Sequence, residues 1–238
     1  MIDLHTHVLP GLDDGAPDES AALELCRAAA ADGTTDLVAT PHYLGGVGVN
    51  DTRVVPLAAE HLRASLARHH IPLRLHYAVE MPLMETFLTL YRDGTWLAYD
   101  SARRYVLLET PPFSSRGLEI MLRTIDALCA EGVTPILAHP ERLPFLDSSA
   151  DAAMLCHHGA LIQVTAHAFQ MESGSGRRSR AWLERGLITV VATDTHSMER
   201  RPPRLSLAHA FIAAHYGEKA ADDLTRANPL KILRGEPI

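Results

Sequence analysis

A chain of 238 residues, 47% hydrophobic and 21% charged, is long enough for one large core and short for two, so a single domain over 1–238 is expected. Its net charge of −7, with no basic run or basic face, counts against a phosphate-neutralising nucleic-acid surface, and without an apolar run of about 18 residues no membrane insertion is expected. Three dispersed cysteines, Cys26, Cys129 and Cys156, do not make a disulfide framework, whereas 14 histidines exceed what surface and core ordinarily need.

Ile2 to His7 alternates as a strand, which would put Asp3, His5 and His7 on one face. Two imidazoles so spaced can reach one metal ion, although a His-x-His pair is as often a solvated polar face. With no basic stretch followed by an apolar one at this end, a cytoplasmic location is expected. A turn-rich loop, Val8 to Gly15, leads to Pro17-Asp18-Glu19-Ser20, the opening of an Ala/Leu-rich helix that runs to Gly33. Strand Thr35–Thr40 stops at Pro41-His42, and Gly45-Gly46-Val47-Gly48 follows. That loop lacks both the P-loop and the dinucleotide glycine spacing and is read as a mobile lid.

A helix over 54–70, with His61, His69 and His70 on its solvated side, precedes strand Leu73–Val79, which ends at Glu80. A short helix over 84–92 and strand Tyr105–Leu108, ending at Glu109, come next. Helix 116–131 leads to strand Pro135–Ala138 and to His139-Pro140-Glu141-Arg142. Helix 150–158, strand Ala160–Val164, a loop with Gly174 and Gly176, and helix 178–185 precede the last strand, Leu187–Ala192. Asp194-Thr195-His196 ends that strand, and the remainder reads as helices punctuated by Asn228-Pro229. Seven apolar strands alternating with helices predict an α/β fold, a distorted TIM-like (β/α)7 barrel, with an open doubly wound sheet as the alternative.

The informative regularity is where ligand-type residues fall. Six of the seven strands deliver His, Asp or Glu at their C-terminal ends: His5 and His7, His42, Glu80, Glu109, His139, and Asp194 with His196. In a β/α barrel those ends converge on one face. Asp14, in the loop after the first strand, can join them. Five imidazoles and four carboxylates exceed what one ion needs and suit two or three divalent metal ions; mixed nitrogen and oxygen ligation suits manganese, iron or zinc. Three divalent ions against four carboxylates leave a positive site that attracts an anion such as a phosphate ester. Arg142 and Arg201, each just past a ligand segment, could add bidentate phosphate contacts and, with His42, are the candidate catalytic residues. A cysteine-nucleophile phosphatase is excluded, because the residues six beyond the cysteines are Asp32, Pro135 and Ile162 rather than arginine.

Asp3-x-His5-x-His7, Asp13-Asp14-Gly15, Thr40-Pro41-His42, Val79-Glu80, Leu108-Glu109, Ala138-His139-Pro140-Glu141-Arg142 and Thr193-Asp194-Thr195-His196 resemble the polymerase and histidinol phosphatase (PHP) superfamily. Within it they are most similar to the bacterial manganese-dependent protein-tyrosine phosphatases of capsule and exopolysaccharide biosynthesis. The resemblance implies a trinuclear site. His5, His7, Glu80 and Asp194 would hold the first ion, with Glu80 bridging to a second held by Glu109 and His139. Asp14, His42 and His196 would hold the third. Asp3 would orient an imidazole. The implied reaction is phosphomonoester hydrolysis by a metal-bridging hydroxide attacking phosphorus, and the implied partner is a phosphotyrosine-containing protein, the tyrosine-rich tail of a kinase. A small-molecule phosphatase on the same site, and a metal-binding module without turnover, are the competing readings. The chain departs from the family pattern at Thr165-Ala166-His167, where His167 could be a substrate contact, a general acid, an extra ligand or a rim residue.

Overall fold

The structure is a computed structural model that describes residues 1–238 except 46, 47, 84–86, 93, 95, 111–116 and 147 and the side chain of residue 90. In chain order it runs β1 (Ile2–Thr6), α1 (Glu19–Ala31), β2 (Asp36–Ala39), β3 (Leu44–Gly45), β4 (Gly48–Val49), α2 (Val55–Arg68), β5 (Arg74–Tyr77) and β6 (Glu80–Pro82). It continues with α3 (Phe87–Arg92), β7 (Tyr105–Glu109), α4 (Gly117–Ala130), β8 (Thr134–Ala138), a 3-10 turn (Pro140–Arg142), α5 (Ser149–His157) and β9 (Leu161–Thr165). A second 3-10 turn (Ala166–Gln170), α6 (Gly174–Glu184), β10 (Val190–Ala192), α7 (Leu205–Tyr216), α8 (Glu218–Asp222), a π turn (Asp223–Ala227) and α9 (Asn228–Arg234) complete it. The expected segments at 46–47, 84–86 and 116 lie outside the described residues. On either side of residues 46–47, β3 and β4 pair antiparallel.

The strands pair in parallel as two arcs, β1-β2-β5 and β10-β9-β8-β7-β6. One join is covalent, since β5 continues into β6 after two residues. At the other join the Asp194 amide donates to the His5 carbonyl and the His7 amide to the Thr195 carbonyl, both at 2.9 Å. The ring therefore holds the seven expected strands, with the third broken into β5 and β6, and the open sheet is set aside.

Strands buried on both faces sort their side chains by alternation. Ile2, Leu4, Val38, Tyr105, Leu107, Ile136, Val190 and Ala192 fill the barrel interior. Their neighbours Leu37, Leu108, Leu137, Ile162 and Val191 face outward and pack with Leu25, Ile125, Leu155, Trp182 and Ile212 of the helices. The foot of the barrel is stoppered by Ile232 of α9 and by Tyr99, whose hydroxyl donates to the Leu4 carbonyl at 2.9 Å.

Alternation fails in one place, and the failure serves the site. The β1–β2 register shifts between Asp3 and Thr6, a β-bulge that inserts one residue. Leu4 packs inward with Ile2, and His5 reaches the barrel mouth directly after it. Asp3 therefore does not share a face with His5 and His7, as strict alternation predicted. It turns outward and accepts from the Thr193 amide (3.0 Å) and hydroxyl (2.5 Å).

Two boundaries differ from the sequence reading. Gly174 and Gly176 lie inside the first turn of α6, not in a loop, because Ser173 caps the helix by accepting from the Gly176 amide. A Cβ on Gly176 would sit 1.9 Å from the Met171 carbonyl oxygen, so this turn needs glycine there. Asn228-Pro229 does not interrupt the last helices, since the π turn before it ends where Pro229, lacking an amide proton, takes an opening position of α9.

Ile232 is fully buried against the barrel floor. Ile232→Ala should cost about 2–5 kcal/mol in urea unfolding through the cavity it leaves. A loss of only a few tenths would show that α9 does not seal the interior.

Candidate metal centre

The residues singled out at the strand ends meet at the barrel mouth. Glu80, whose side chain is inaccessible to solvent, occupies the middle. Its Oε1 lies 3.3 Å from Nε2 of both His5 and His139, and its Oε2 lies 3.4 Å from His7 Nε2 and 3.0 Å from His42 Nδ1. Asp194 Oδ1 lies 3.4 Å from both His5 Nε2 and His7 Nε2. Asp14 Oδ1 lies 3.4 Å from His42 Nε2 and 3.2 Å from His196 Nε2. Glu109 is 3.6 Å from His42 Nδ1 and 3.7 Å from His139 Nε2. Four overlapping groupings are compact enough to hold an ion: His7-Asp14-His42-His196, His5-His7-Glu80, His5-His139-Asp194 and His42-Glu80-Glu109.

Several backbone features hold these side chains in place. His139 and Asp194 both adopt left-handed conformations, with φ of 34° and 53°, which a non-glycine residue takes at a cost of about 1–3 kcal/mol. Each such twist comes where the chain leaves a strand and turns a ligand-type side chain into the mouth. The loop after β1 is fixed by Gly15, where a Cβ would fall 2.0 Å from the His7 carbonyl oxygen. Beside it, the Asn50 amide donates to the carbonyls of Leu12 (3.0 Å) and His42 (2.8 Å), tying the hairpin to the same loop.

Neighbouring acceptors set the imidazole orientations. Gln163 Oε1 accepts from His5 Nδ1 at 2.9 Å, and Asp13 Oδ2 accepts from His7 Nδ1 at 2.7 Å. Both leave Nε2 as the lone-pair nitrogen that faces Glu80 and Asp194. The His196 Nδ1–H donates to the Asp194 carbonyl at 2.9 Å. Asp13 also accepts from the His42 amide (3.0 Å) and the Gly15 amide (3.0 Å), so one carboxylate ties together three segments of the mouth.

The electrostatics show what the pocket lacks. Both oxygens of Glu80 and Oδ1 of Asp194 are buried without a hydrogen-bond donor among the described residues, although imidazole nitrogens stand 3.0–3.4 Å away. Such orphaned carboxylate oxygens cost free energy unless a positive charge sits between them and the ring nitrogens. Burial pulls the His5 and His7 rings toward neutrality, but the surrounding carboxylates outweigh it and raise both above the ordinary imidazole range. Burial likewise opposes ionisation of Glu80 and Asp194, yet the facing histidines hold both well below the usual carboxylate range. Burial, with the Glu80 charge beside it, raises Glu109. Burial and the neighbouring His7 push His196 down to about 4. A closely packed donor set of mixed imidazole and carboxylate fits divalent cations.

Comparison with known proteins places this geometry. The family model of capsular polysaccharide synthesis proteins, CpsB/CapC, matches residues 1–234. The chain belongs to the CpsB/CapC family. The tyrosine-protein phosphatase YwqE of Bacillus subtilis is 30% identical over 100% of this chain and 93% of its own length. The tyrosine-protein phosphatase CpsB of Streptococcus pneumoniae is 28% identical over 100% of both. A crystal structure from a study of YwqE and that CpsB, described as unique metal-dependent tyrosine phosphatases, superposes with a TM-score of 0.92 at 28% identity, over 100% of this chain and 96% of the other.

Within this CpsB/CapC chain, all nine proposed ligands and both arginines gather at the mouth. Arg142 and Arg201 each place one terminal nitrogen on Asp194 Oδ2, at 2.7 and 2.5 Å. Both arginine side chains are about one-third exposed. Asp3 does not orient an imidazole, as expected from the family pattern; it holds the Thr193 segment from which Asp194 projects. Burial pushes its carboxyl up to about 6 against the pull of the Thr193 bonds. His167 lies exposed on the 3-10 turn after β9 and joins none of the ion-sized groupings among the described residues.

Three contributors were not singled out from sequence. Asp13 stood inside a quoted motif without a role, Gln163 is a lone polar residue in an otherwise apolar strand, and Glu141 clamps Thr165 through its amide (2.9 Å) and hydroxyl (2.6 Å). The His7 bond outweighs burial and takes the Asp13 carboxyl down to about 2, so Asp13 stays an anion throughout the neutral range. Asp13→Ala should leave the fold intact by circular dichroism yet weaken metal affinity about 10–100-fold in competitive chelator titration. Unchanged affinity would show that His7 is oriented without it.

Proposed function

We propose that this chain is a cytoplasmic, metal-dependent protein-tyrosine phosphatase of capsule or exopolysaccharide synthesis, acting on the phosphorylated tyrosine-rich tail of a partner kinase. The observation that carries the reading is the pair of buried carboxylates, Glu80 and Asp194, whose free oxygens face five imidazoles at the mouth of a CpsB/CapC barrel. His5, His7, Glu80 and Asp194 would hold one ion, Glu80, Glu109 and His139 a second, and Asp14, His42 and His196 a third, with manganese the favoured metal. Bound divalent ions would supply a water of lowered pKa and positive charge for the phosphoryl oxygens.

The chain's own residues do the rest. Glu80 is central because it faces four imidazoles, so its two oxygens could serve more than one ion. Gln163 and Asp13 keep the Nε2 lone pairs of His5 and His7 turned inward. Arg142 and Arg201 anchor on one oxygen of Asp194, which leaves most of each five-donor guanidinium for the equatorial oxygens of a phosphate. With donors fixed before substrate arrives, they neutralise charge that grows in the transition state at little cost in reorganisation. His42, partly exposed between Asp14 and Glu80, stands where an ester would enter.

Stripping with a chelator and reloading should restore two or three ions per chain by elemental analysis together with activity; a single ion would break the cluster reading. In the same assay a phosphotyrosyl peptide should exceed histidinol phosphate in kcat/KM by about tenfold or more, and the reverse order would make this a small-molecule phosphatase. Arg142→Ala should raise KM for phosphate esters or slow turnover with the ion content unchanged. Wild-type kinetics from that variant would remove Arg142 from the reaction.

A further inference from the structure

The densest basic cluster of the sequence, Arg177-Arg178-Ser179-Arg180, is not used by the centre described above. It lies on the first turns of α6, which follows β9 and so begins on the same face of the barrel as the strand ends. There, Ser149 of α5 and Gly174, Arg177, Arg178, Ala181 and Trp182 of α6 line a cavity of about 290 Å³. Two arginines and no acidic side chain stand among its described lining residues.

Both guanidinium groups are fixed by backbone carbonyls, and among the described residues neither is paired with a carboxylate. Arg177 donates to the Glu172 carbonyl at 2.9 Å, and Arg178 Nε donates to the Glu141 carbonyl at 2.8 Å. A guanidinium has five N–H donors, so each keeps its charge and most of its fork. Arg180 differs, because it is turned onto the Phe169 and Met171 carbonyls and toward Glu172. Gly174, at the start of the helix, adds no side chain to obstruct the cavity, and the 11-residue α6 directs its positive end there.

The position relative to the centre is defined by one peptide unit. Arg178 is held by the carbonyl of Glu141, and the next residue, Arg142, bonds to Asp194 in the centre. Glu141 itself is fully buried and anchored to Thr165, so the backbone between the two arginines is rigid. An extended peptide advances about 3.3 Å per residue, so residues a few positions from the one in the centre have the reach of a neighbouring cavity.

We propose that the Arg177–Arg178 cavity is a second anion-binding subsite, which holds a phosphotyrosine or acidic side chain a few residues from the phosphotyrosine being hydrolysed. It would make the enzyme favour densely phosphorylated or acidic segments over isolated phosphotyrosines. This deepens the phosphatase reading and rests on it. A small ester fills only the centre and gains nothing from the cavity.

The test compares four substrates: 4-nitrophenyl phosphate, a peptide with one phosphotyrosine, the same peptide with a second phosphotyrosine two to four residues away, and one with glutamate at that place. In the wild-type holoenzyme, the second phosphate should lower KM about tenfold, as charge-assisted bonds to a guanidinium do, and glutamate by less. Arg177→Ala, which touches no residue of the centre, and Arg178→Gln should each erase most of that gain. Both variants should keep kcat/KM on 4-nitrophenyl phosphate and the wild-type unfolding temperature. Arg178→Lys should retain part of the preference. A wild-type enzyme indifferent to the second anion, or an Arg177→Ala enzyme that keeps the full preference, overturns the proposal. Peptide affinity read in parallel by fluorescence anisotropy separates the two readings. Failure to turn over any peptide while cleaving the small ester sinks the protein-phosphatase reading, and equal affinity of wild type and Arg177→Ala for the doubly phosphorylated peptide sinks the subsite.

Discussion

The buried charge of Glu80 and Asp194 is the constraint around which the mouth of this barrel is built. Two carboxylates with side-chain exposure of 0% and 1% would be prohibitive in an apolar interior. Their stability as anions depends on five imidazoles and two guanidinium groups delivered from separate strand ends. The arginines take one oxygen of Asp194 and leave the other facing His5 and His7, which polarises the residue into a structural half and a ligand half. Glu80 has no such division, and both its oxygens face imidazole nitrogens. An acid so deeply buried, with both oxygens facing imidazoles, suits a cation held between them.

Closure of the barrel and construction of the centre are the same event. The amides of Asp194 and His7 make the two bonds that join the last strand to the first, and both residues point their side chains into the mouth. Asp3 adds a third tie across that seam through Thr193. A barrel that failed to close would leave the first histidine pair without Asp194, so these side chains cannot meet in a partly formed fold. The left-handed backbone at Asp194 is tolerated because these hydrogen bonds over-determine it.

Much of this was legible in the sequence because two independent periodicities coincide. Strand-helix alternation gave the seven-strand ring, and the ligand residues fell where each apolar run stopped, so Glu80, Glu109 and His139 could be placed by counting alone. What could not be read depends on single-residue irregularities. The bulge in β1 reverses the face of everything before it, and nothing in Ile-Asp-Leu-His-Thr-His announces an inserted residue, so Asp3 was assigned to the imidazoles when it belongs to Thr193. Gln163 was hidden because a polar residue in an apolar strand reads as noise until its partner, 158 positions away, is known. The start of α6 was placed too late because two glycines read as a loop, whereas the close approach of the Met171 carbonyl requires one of them inside a helix.

The turn Pro140–Arg142 shows why a short motif can carry several functions at once. His139 enters the centre through a left-handed residue, Pro140 then sets the chain into a 3-10 turn, Glu141 turns back to clamp the end of β9, and Arg142 returns to Asp194. The Glu141 carbonyl accepts from Arg178 Nε and fixes it. Rigidity here therefore serves two anion-facing guanidinium groups through one peptide. In a chain of net charge −7, concentrating fixed cations on a single rim is what gives an anionic substrate a direction of approach.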